Sequence, residues 1–292
     1  MSVQVTRRNK GIDGFDWFNY TLLFLIAFAM LFPFLYAASI SFSSYRDFLQ
    51  FGFRLIPRSF VLDAYHFVLE SPRFVRSLFV TVEITAVGTI INLFFTATFA
   101  YMLSRPVVAQ RVMLFLVVFT MLFSAGMIPT YLVVKETGLL NSIWALIIPV
   151  AISSFHLIVM RQFFQSIPEE LNEAAIVDGA NDIQIFAKIM LPLSKPALAA
   201  FGLFYAVGHW NSYFTGILYL NDPAQWPIQV ILRQIVIVSD PVASLNIPTE
   251  YAPPGETVQM AATLLATLPI LLPYPFLQKH FVKGVMLGSV KG

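Results

Sequence analysis

Six long apolar stretches divide this chain, and they constrain its fold more than any other feature. They span residues 20–42, 78–103, 112–134, 143–163, 197–220 and 258–277. A helix of about 20 mostly apolar residues is long enough to cross a hydrocarbon core of about 30 Å. The composition agrees, because 58% of the residues are hydrophobic and only 12% are charged, against roughly a quarter charged in soluble domains.

The stretches predict an all-α membrane protein with six transmembrane helices. Arg7, Arg8 and Lys10 precede the first stretch, which lacks a small-residue cleavage pattern, so we interpret it as a retained anchor. Six spans place both termini on one side, and most of the 18 Lys and Arg residues lie on that side. The positive-inside rule then predicts a cytoplasmic segment 1–19, a membrane domain 20–277 and a cytoplasmic tail 278–292.

Several chemistries lack the residues that they need. The chain has no cysteine, which excludes disulfides, thiol catalysis and thiolate metal sites. No His, Asp or Glu grouping has the spacing of metal ligands, and no Ser-His catalytic motif is recognisable. A net charge of +2 without a basic stripe does not indicate nucleic-acid binding. We therefore predict a non-catalytic protein that contacts membrane lipid and no nucleic acid.

A polar segment, residues 166–192, interrupts the apolar stretches on the cytoplasmic side. Ser166 and Glu169 have the spacing of a capping box with Pro168 in the first turn, which predicts a helix start. Gly179 predicts the end of this helix, because glycine readily takes positive φ.

A second short helix is predicted after the glycine. Asn181 or Asp182 can cap it, and we expect it to run through Lys188 and to be limited by Pro192. By composition alone, the pair of helices also fits an amphipathic connector resting on the membrane surface.

The same segment carries a motif with fixed spacing. Its positions are Glu173, Ala174, Ala175, Gly179, Ile189, Leu191 and Pro192. This pattern resembles the cytoplasmic loop of permease subunits of bacterial ATP-binding cassette (ABC) importers, in particular the maltose-permease-like sugar permeases. The resemblance extends over almost the full length. It is strongest to permeases for oligosaccharides and oligouronides, such as alginate or pectin fragments.

The resemblance implies a type I ABC importer permease fold, in which this loop fits a cleft on a separate ATPase. By resemblance Glu173 makes a polar contact there, Ala174 and Ala175 pack in the cleft, and Gly179 supplies the bend. The implied docking set is Glu173, Ala174, Ala175, Asp178, Gly179, Ile189, Leu191 and Pro192. The chain has no G-x-x-x-x-G-K-[ST] phosphate loop. We therefore expect it to bind no cofactor, with ATP and Mg held by the partner ATPase subunits.

The implied complex lies in a bacterial inner membrane. It pairs this chain with a second, different permease, two ATPase subunits and an external sugar-binding protein. Two external loops, residues 43–77 and 221–256, are expected on the side of the binding protein. The first is basic, which fits either a solvated loop with local ion pairs or attraction of an acidic substrate or partner. Its arginines are Arg46, Arg54, Arg58, Arg73 and Arg76.

Polar residues inside the spans indicate where a substrate would pass, because they are costly in lipid and tend to face a cavity. The cluster at 209–213 places an indole beside an amide, a combination suited to sugar rings. Helix packing is the alternative explanation for these residues. The predicted pathway residues are Asn92, Ser154, His209, Trp210, Asn211 and Tyr213.

We therefore predict a permease subunit of an ATP-driven oligosaccharide importer, with an acidic sugar as one possible cargo. The alternative is an ion-coupled secondary transporter, which needs carboxylates near the middle of the membrane. Only Glu83 lies near a span, and it lies toward one end of it.

Overall fold

The computed structural model describes residues 14–44, 56–57, 59–237, 245 and 255–272. Within these residues the regular elements are all helical. Short 3₁₀ turns occupy Ile143–Leu146, Ile148–Val150 and Pro223–Gln225. The helices are α1 Gly14–Ser41, α2 Asp63–Glu70, α3 Pro72–Ser104, α4 Gln110–Leu122, α5 Met127–Glu136, α6 Ser154–Gln165, α7 Glu169–Val177, α8 Asp182–Leu193, α9 Lys195–Trp210, α10 Tyr213–Tyr219, α11 Ile228–Ile237 and α12 Gly255–Leu271.

The longest helix, α3, is the central element of the bundle. Its 33 residues correspond to about 50 Å at 1.5 Å per residue, more than the hydrocarbon thickness of a bilayer. Ser71 caps its start by accepting a hydrogen bond from the Phe74 amide, and Pro72 occupies the first turn. It ends at Ser104, and Arg105, which precedes a proline, is extended. α3 packs against α9 and α6 more extensively than any other pair of helices packs.

Three of the six apolar stretches are not the continuous helices that the sequence predicts. The third is split into α4 and α5, bent by 118°, and the fourth into the 3₁₀ turns and α6, bent by 50°. The fifth is interrupted between α9 and α10 at Asn211 and Ser212. The breaks have local causes, such as Gly126 at φ 85 and Pro149 within a 3₁₀ turn.

The described helices differ in whether one helix alone is long enough to span a membrane. Among the helices that the structure describes, α1 and α3 are by themselves long and apolar enough to cross a membrane, and up to five spans result if each bent pair counts as one. The sixth stretch is described only through α12. α1 begins at Gly14, inside the segment predicted to precede the first span. The tail 278–292 and Arg46, Arg54 and Arg58 lie outside the described residues.

Side chains of neighbouring helices satisfy the backbone where the fourth stretch breaks. The Asn92 amide of α3 donates a hydrogen bond to the Val150 carbonyl. The Ser153 amide donates to the Tyr205 hydroxyl at 3.3 Å, and that hydroxyl shares a 2.7 Å hydrogen bond with Thr96. Irregular backbone is tolerated at membrane depth when protein groups provide the partners that water cannot.

A glycine on α3 makes room for a buried imidazole of α9. His209 is 5% exposed, and its Nε2 lies 2.6 Å from Asn92 Oδ1. The side-chain nitrogen of Asn92 donates to the Val150 carbonyl, so the oxygen of the same amide accepts the hydrogen bond from His209 Nε2. A Cβ atom at Gly88 would lie 2.5 Å from His209 Nε2. The close approach of α3 and α9 therefore depends on the absence of a side chain at this position.

The buried residues form three clusters along the bundle. One joins the start of α3 to α5 and the end of α10, and a second joins the end of α3 to α6–α9. The third unites α2, α11 and α12. Ile228, Ile231 and Ile235 of α11 are fully buried in it. α11 is thus packed against the bundle on one side.

We predict that Gly88→Ala destabilises the protein by about 1–3 kcal/mol, because the added methyl group must displace the His209 ring. The measurement is the melting temperature of the purified protein in detergent. Gly202→Ala is the matched control, since its Cβ would lie 3.4 Å from Leu93 Cδ1, an ordinary contact. Equal melting temperatures for the two variants would contradict the packing role of Gly88.

Candidate functional site

Helices α7 and α8 form the polar segment between the fourth and fifth stretches. The bend between them is confirmed, since Gly179 has φ 81 directly after the end of α7. Asn181 starts α8 with a capping box. Its Oδ1 accepts from the Gln184 amide at 2.9 Å, and its own amide donates to Gln184 Oε1 at 3.0 Å.

The predicted capping box at the start of α7 is wrong. The Ser166 hydroxyl donates to the Phe163 carbonyl at 2.7 Å, so it belongs to the end of α6. Pro168 occupies the cap position of α7, without a side-chain hydrogen bond. The first carboxylates of α7, Glu169 and Glu170, instead lie near the positive end of its dipole.

The second helix is longer than the sequence predicts. It continues past Lys188 to Leu193 through a π-helical turn at Phe186–Met190. This widened turn directly precedes the segment that contains Pro192, which has no backbone donor. π-helical turns inside α-helices are frequent at functional sites.

The predicted docking residues divide between two faces of this segment. Ala175 is 8% exposed, and it packs in the same cluster as Ile185, Met190 and the end of α3. Ile189 is half-buried against that cluster, and Leu191 is half-buried too. The exposed members are Glu173, Ala174, Asp178, Gly179 and Pro192.

The alanine pair therefore has two different environments. Ala174 is exposed, whereas Ala175 lies against this chain's own core. The packing of both alanines in a partner's cleft stays a prediction, and of the two only Ala174 is exposed in this structure. The physical reason is helical geometry, because adjacent residues are about 100° apart around the axis.

Four apolar side chains are exposed beside the acidic residues of α7 and α8. Leu171, Ile176, Val177 and Ile183 are 43%, 56%, 86% and 77% exposed. Exposed apolar side chains in a polar segment outside the apolar stretches are candidates for contact with another protein. Sequence reasoning assigned no role to Ile176, Val177 or Ile183. The available signal is that three of the four lie within four residues of Gly179, in a segment outside the apolar stretches.

A cavity of about 530 Å³ lies between the break of the fourth stretch and helices α9 and α10. Its volume is within the range of small-molecule sites, roughly 300–1,000 Å³. Apolar and aromatic side chains, including Phe204 and Phe214, form part of the wall. The polar lining contains no Asp, Glu, Lys or Arg, and its members are Ser153, His156, Tyr205, His209, Asn211, Ser212 and Thr215.

Only two of the six predicted pathway residues, His209 and Asn211, line this cavity. Trp210 is 4% exposed, and its Nε1 donates to the Ala266 carbonyl of α12 at 3.1 Å. The indole therefore faces a different part of the bundle, and the prediction of an aromatic sugar platform at Trp210 is not supported. Adjacent residues of a helix are about 100° apart around its axis, so Trp210 can face α12 while His209 lines the cavity.

Each of the other three pathway residues contacts another part of the chain. Asn92 is fully buried between His209 and Val150, and Ser154 shares a 3.0 Å hydrogen bond with Thr120. The Tyr213 ring lies 4.6 Å from the guanidinium carbon of Arg233. None of the three lines the cavity.

The six predicted pathway residues do not include Tyr205 or His156, yet both line the cavity. The available signal for Tyr205 is its spacing, because it lies one helical turn before His209 and shares its face. In the residues that the structure describes, no group of three or more His, Asp or Glu residues is arranged to hold a metal ion.

Comparison with known proteins extends these observations. A family model described as "Binding-protein-dependent transport system inner membrane component" matches residues 73–287. Two proteins of Bacillus subtilis (strain 168) are each 50% identical to this chain. They are the polygalacturonan/rhamnogalacturonan transport system permease protein YtcP, over 95% of this chain and 98% of its own length, and Protein LplC, over 99% of both.

A solved structure is also similar over most of the chain. It is the crystal structure of a bacterial ABC transporter involved in the import of the acidic polysaccharide alginate. One of its chains superposes with a TM-score of 0.85 at 36% identity, over 91% of this chain and 96% of that one. The predicted docking segment, residues 166–192, and the cavity both lie within the matched family region.

We predict that Trp210→Phe lowers the free energy of unfolding by about 1–3 kcal/mol, because it leaves the buried Ala266 carbonyl without its indole donor.

Asn211→Ala, at an exposed position on the cavity wall, should leave the melting temperature nearly unchanged and raise the KM for substrate uptake. Melting in detergent and uptake into proteoliposomes separate these effects. A change of substrate preference in Trp210→Phe at unchanged stability would restore Trp210 as a substrate contact.

Proposed function

This chain belongs to the family of binding-protein-dependent transport system inner membrane components, and we propose that it is the oligosaccharide permease of an ATP-driven importer. As a permease component it is a non-catalytic membrane subunit. Its cargo is proposed to be an oligosaccharide that includes uronide units. The energy is supplied by ATP and Mg on separate ATPase subunits.

The cavity supports a carbohydrate cargo. It combines hydroxyl, amide and imidazole groups with the faces of Phe204, Tyr205 and Phe214. Such a mixture suits a sugar, whose ring has apolar faces and hydroxyl edges. The wall contains no Lys or Arg, so the carboxylates of a uronide would find fixed positive charge on another subunit. The names of the similar proteins, which refer to polygalacturonan, rhamnogalacturonan and alginate, support acidic sugars.

The proposed coupling to an ATPase is supported by the two different faces of the docking segment. One face is buried in the bundle through Ala175, Ile185 and Met190, and the other exposes Glu173 beside apolar side chains. A surface of this kind suits a protein cleft, where apolar area supplies affinity and a carboxylate supplies orientation.

The proposed complex contains a second, different permease, two ATPase subunits and an external binding protein. The docking segment lies on the cytoplasmic side, which places both termini in the cytoplasm. Closure of the ATPases moves α7 and α8, and the bends between helices give the bundle places to reorient. The cavity then changes its access from one side of the membrane to the other.

The proposal is tested by Glu173→Arg in the purified complex. We expect the variant to lose the ATPase subunits, or to lose the stimulation of ATP hydrolysis by sugar-loaded binding protein, because the reversed charge faces the docking partner. Glu136→Arg is the matched control, since Glu136 is also exposed and lies near the other end of the bundle.

Two outcomes would contradict the proposal. One is purification of the wild-type chain without an ATPase, together with no effect of Glu173→Arg. The other is sugar uptake by this chain alone that follows an ion gradient and needs no ATP, which would favour a secondary transporter.

A second prediction concerns the bend between α7 and α8. Gly179→Ala should weaken the stimulation of ATP hydrolysis, because an alanine at φ 81 is strained by roughly 1–2 kcal/mol and the two helices must reorient. Gly138→Ala imposes a similar strain, since Gly138 has φ 70 and its surroundings are equally open. The predicted result is normal coupling in Gly138→Ala, and similar loss of coupling in both variants would show a general effect of strain.

A further inference from the structure

The end of α3 carries an arginine that contacts both docking helices. Arg105 Nη1 donates to Asp182 Oδ1 of α8 at 3.1 Å, and Nη2 donates to Asn172 Oδ1 of α7 at 3.4 Å. Its guanidinium carbon lies 4.7 Å from the centroid of the Tyr101 ring of α3. One planar group thus connects three helices.

The surroundings of Arg105 reinforce this connection. The Tyr101 hydroxyl donates to the Asp182 carbonyl at 3.4 Å, and its ring lies 4.8 Å from the ring of Phe186 in α8 and 6.0 Å from that of Phe164 in α6. The arginine fork therefore lies over an aromatic cluster that joins the same helices.

The last turn of α3 is also hydrogen-bonded to α4 and α6. The Leu103 carbonyl accepts hydrogen bonds from Arg161 Nε of α6 and from Gln110 Nε2 of α4, each at 2.8 Å. Leu103 itself is fully buried. A displacement at this turn is therefore passed to α4 and α6 as well as along α3.

The ion pair contributes little to folding stability. The side chain of Asp182 is 77% exposed and that of Arg105 is 26% exposed, and pairs of this kind are weak in water. The buried cluster beneath, with Ala175, Ile185 and Met190, holds the segment in place. What the arginine adds is geometry, because its rigid fork fixes α7 and α8 relative to α3.

α3 connects this contact to the cavity. Asn92 and Thr96 of the same helix hold the break of the fourth stretch, whose residues Val150 and Ser153 line the cavity. Arg105 follows Asn92 by 13 positions, or about 20 Å along a helix. A rigid shift of α3 at the docking end therefore moves a wall of the cavity.

We propose that Arg105 is a positioning residue for energy coupling, which ties both docking helices to α3 so that their displacement moves α3 with them. The proposal rests on the proposed function. Without the contacts of Arg105, a displacement of α7 and α8 by the ATPases would not move α3 to the same extent. ATP is then hydrolysed with less sugar moved.

The test uses the full complex, with its ATPases, second permease and binding protein, in proteoliposomes. The quantity measured is sugar imported per ATP hydrolysed, beside the melting temperature and the amount of ATPase retained. We expect Arg105→Asp to lower this ratio about tenfold, within the usual range of coupling between sites, with the ATPases still bound. The ratio for Arg105→Lys should lie between those of the wild type and Arg105→Asp, because lysine keeps the positive charge but lacks the planar guanidinium.

Charge exchange separates positioning from a general structural role. Arg105→Asp combined with Asp182→Arg restores the ion pair, and we expect most of the ratio to return. Arg111→Ala is the control, because Arg111 is an exposed arginine on α4 at the same end of the bundle, and its ratio should equal that of the wild type. Asp182→Asn breaks the pair at an exposed position and remains informative if Arg105→Asp fails to assemble.

An unchanged ratio in Arg105→Asp overturns the proposal, as does an unchanged ratio in Asp182→Asn if Arg105→Asp does not assemble. The proposal is also overturned if the double variant, Arg105→Asp with Asp182→Arg, imports as little sugar per ATP as Arg105→Asp alone. These outcomes are distinct from failure of the proposed function. In that case the wild-type chain would not couple to an ATPase, and Glu173→Arg would have no effect.

Discussion

The structure depends on the need to satisfy backbone polar groups without water. Continuous helices meet this need by themselves, but three apolar stretches of this chain are broken. At the break of the fourth, α3 and α9 supply the missing partners through Asn92 and Tyr205. Since unsatisfied backbone groups are costly in lipid, these side chains allow an irregular wall at membrane depth, and the cavity lies beside that wall.

One helix links the parts of the molecule that matter for transport. The start of α3 packs with α5 and α10, its middle holds the broken stretch, and its end packs with the docking helices. The contacts differ in kind along its length. Buried apolar clusters pack against both ends of α3. Its middle is held by hydrogen bonds and by the close packing of His209 against Gly88. α3 therefore contacts the docking helices at one end and α5 and α10 at the other.

The docking segment shows how far local sequence patterns reach. Gly179 and the Asn181 cap were predictable, because positive φ and capping depend on residues only a few positions apart. The cap at Ser166 failed, since its hydroxyl is used by the preceding helix. The burial of Ala175 beside an exposed Ala174 was not predicted, because it depends on the position of the end of α3. The pathway residues show the same limit, as Trp210 and Asn211 are adjacent and face different surroundings.

The sequence by itself determined the class of the protein, because hydropathy, the missing phosphate loop and the spacing of the loop motif are properties of the letters and their order. It also determined that a polar segment with a glycine bend separates two apolar stretches. Only the tertiary structure decided where the apolar stretches break, which polar residues line the cavity and which face of α7 is exposed. Those features depend on contacts such as Asn92 to Val150 and Arg105 to Asp182. Such contacts join residues more than 50 positions apart, and no local pattern specifies them.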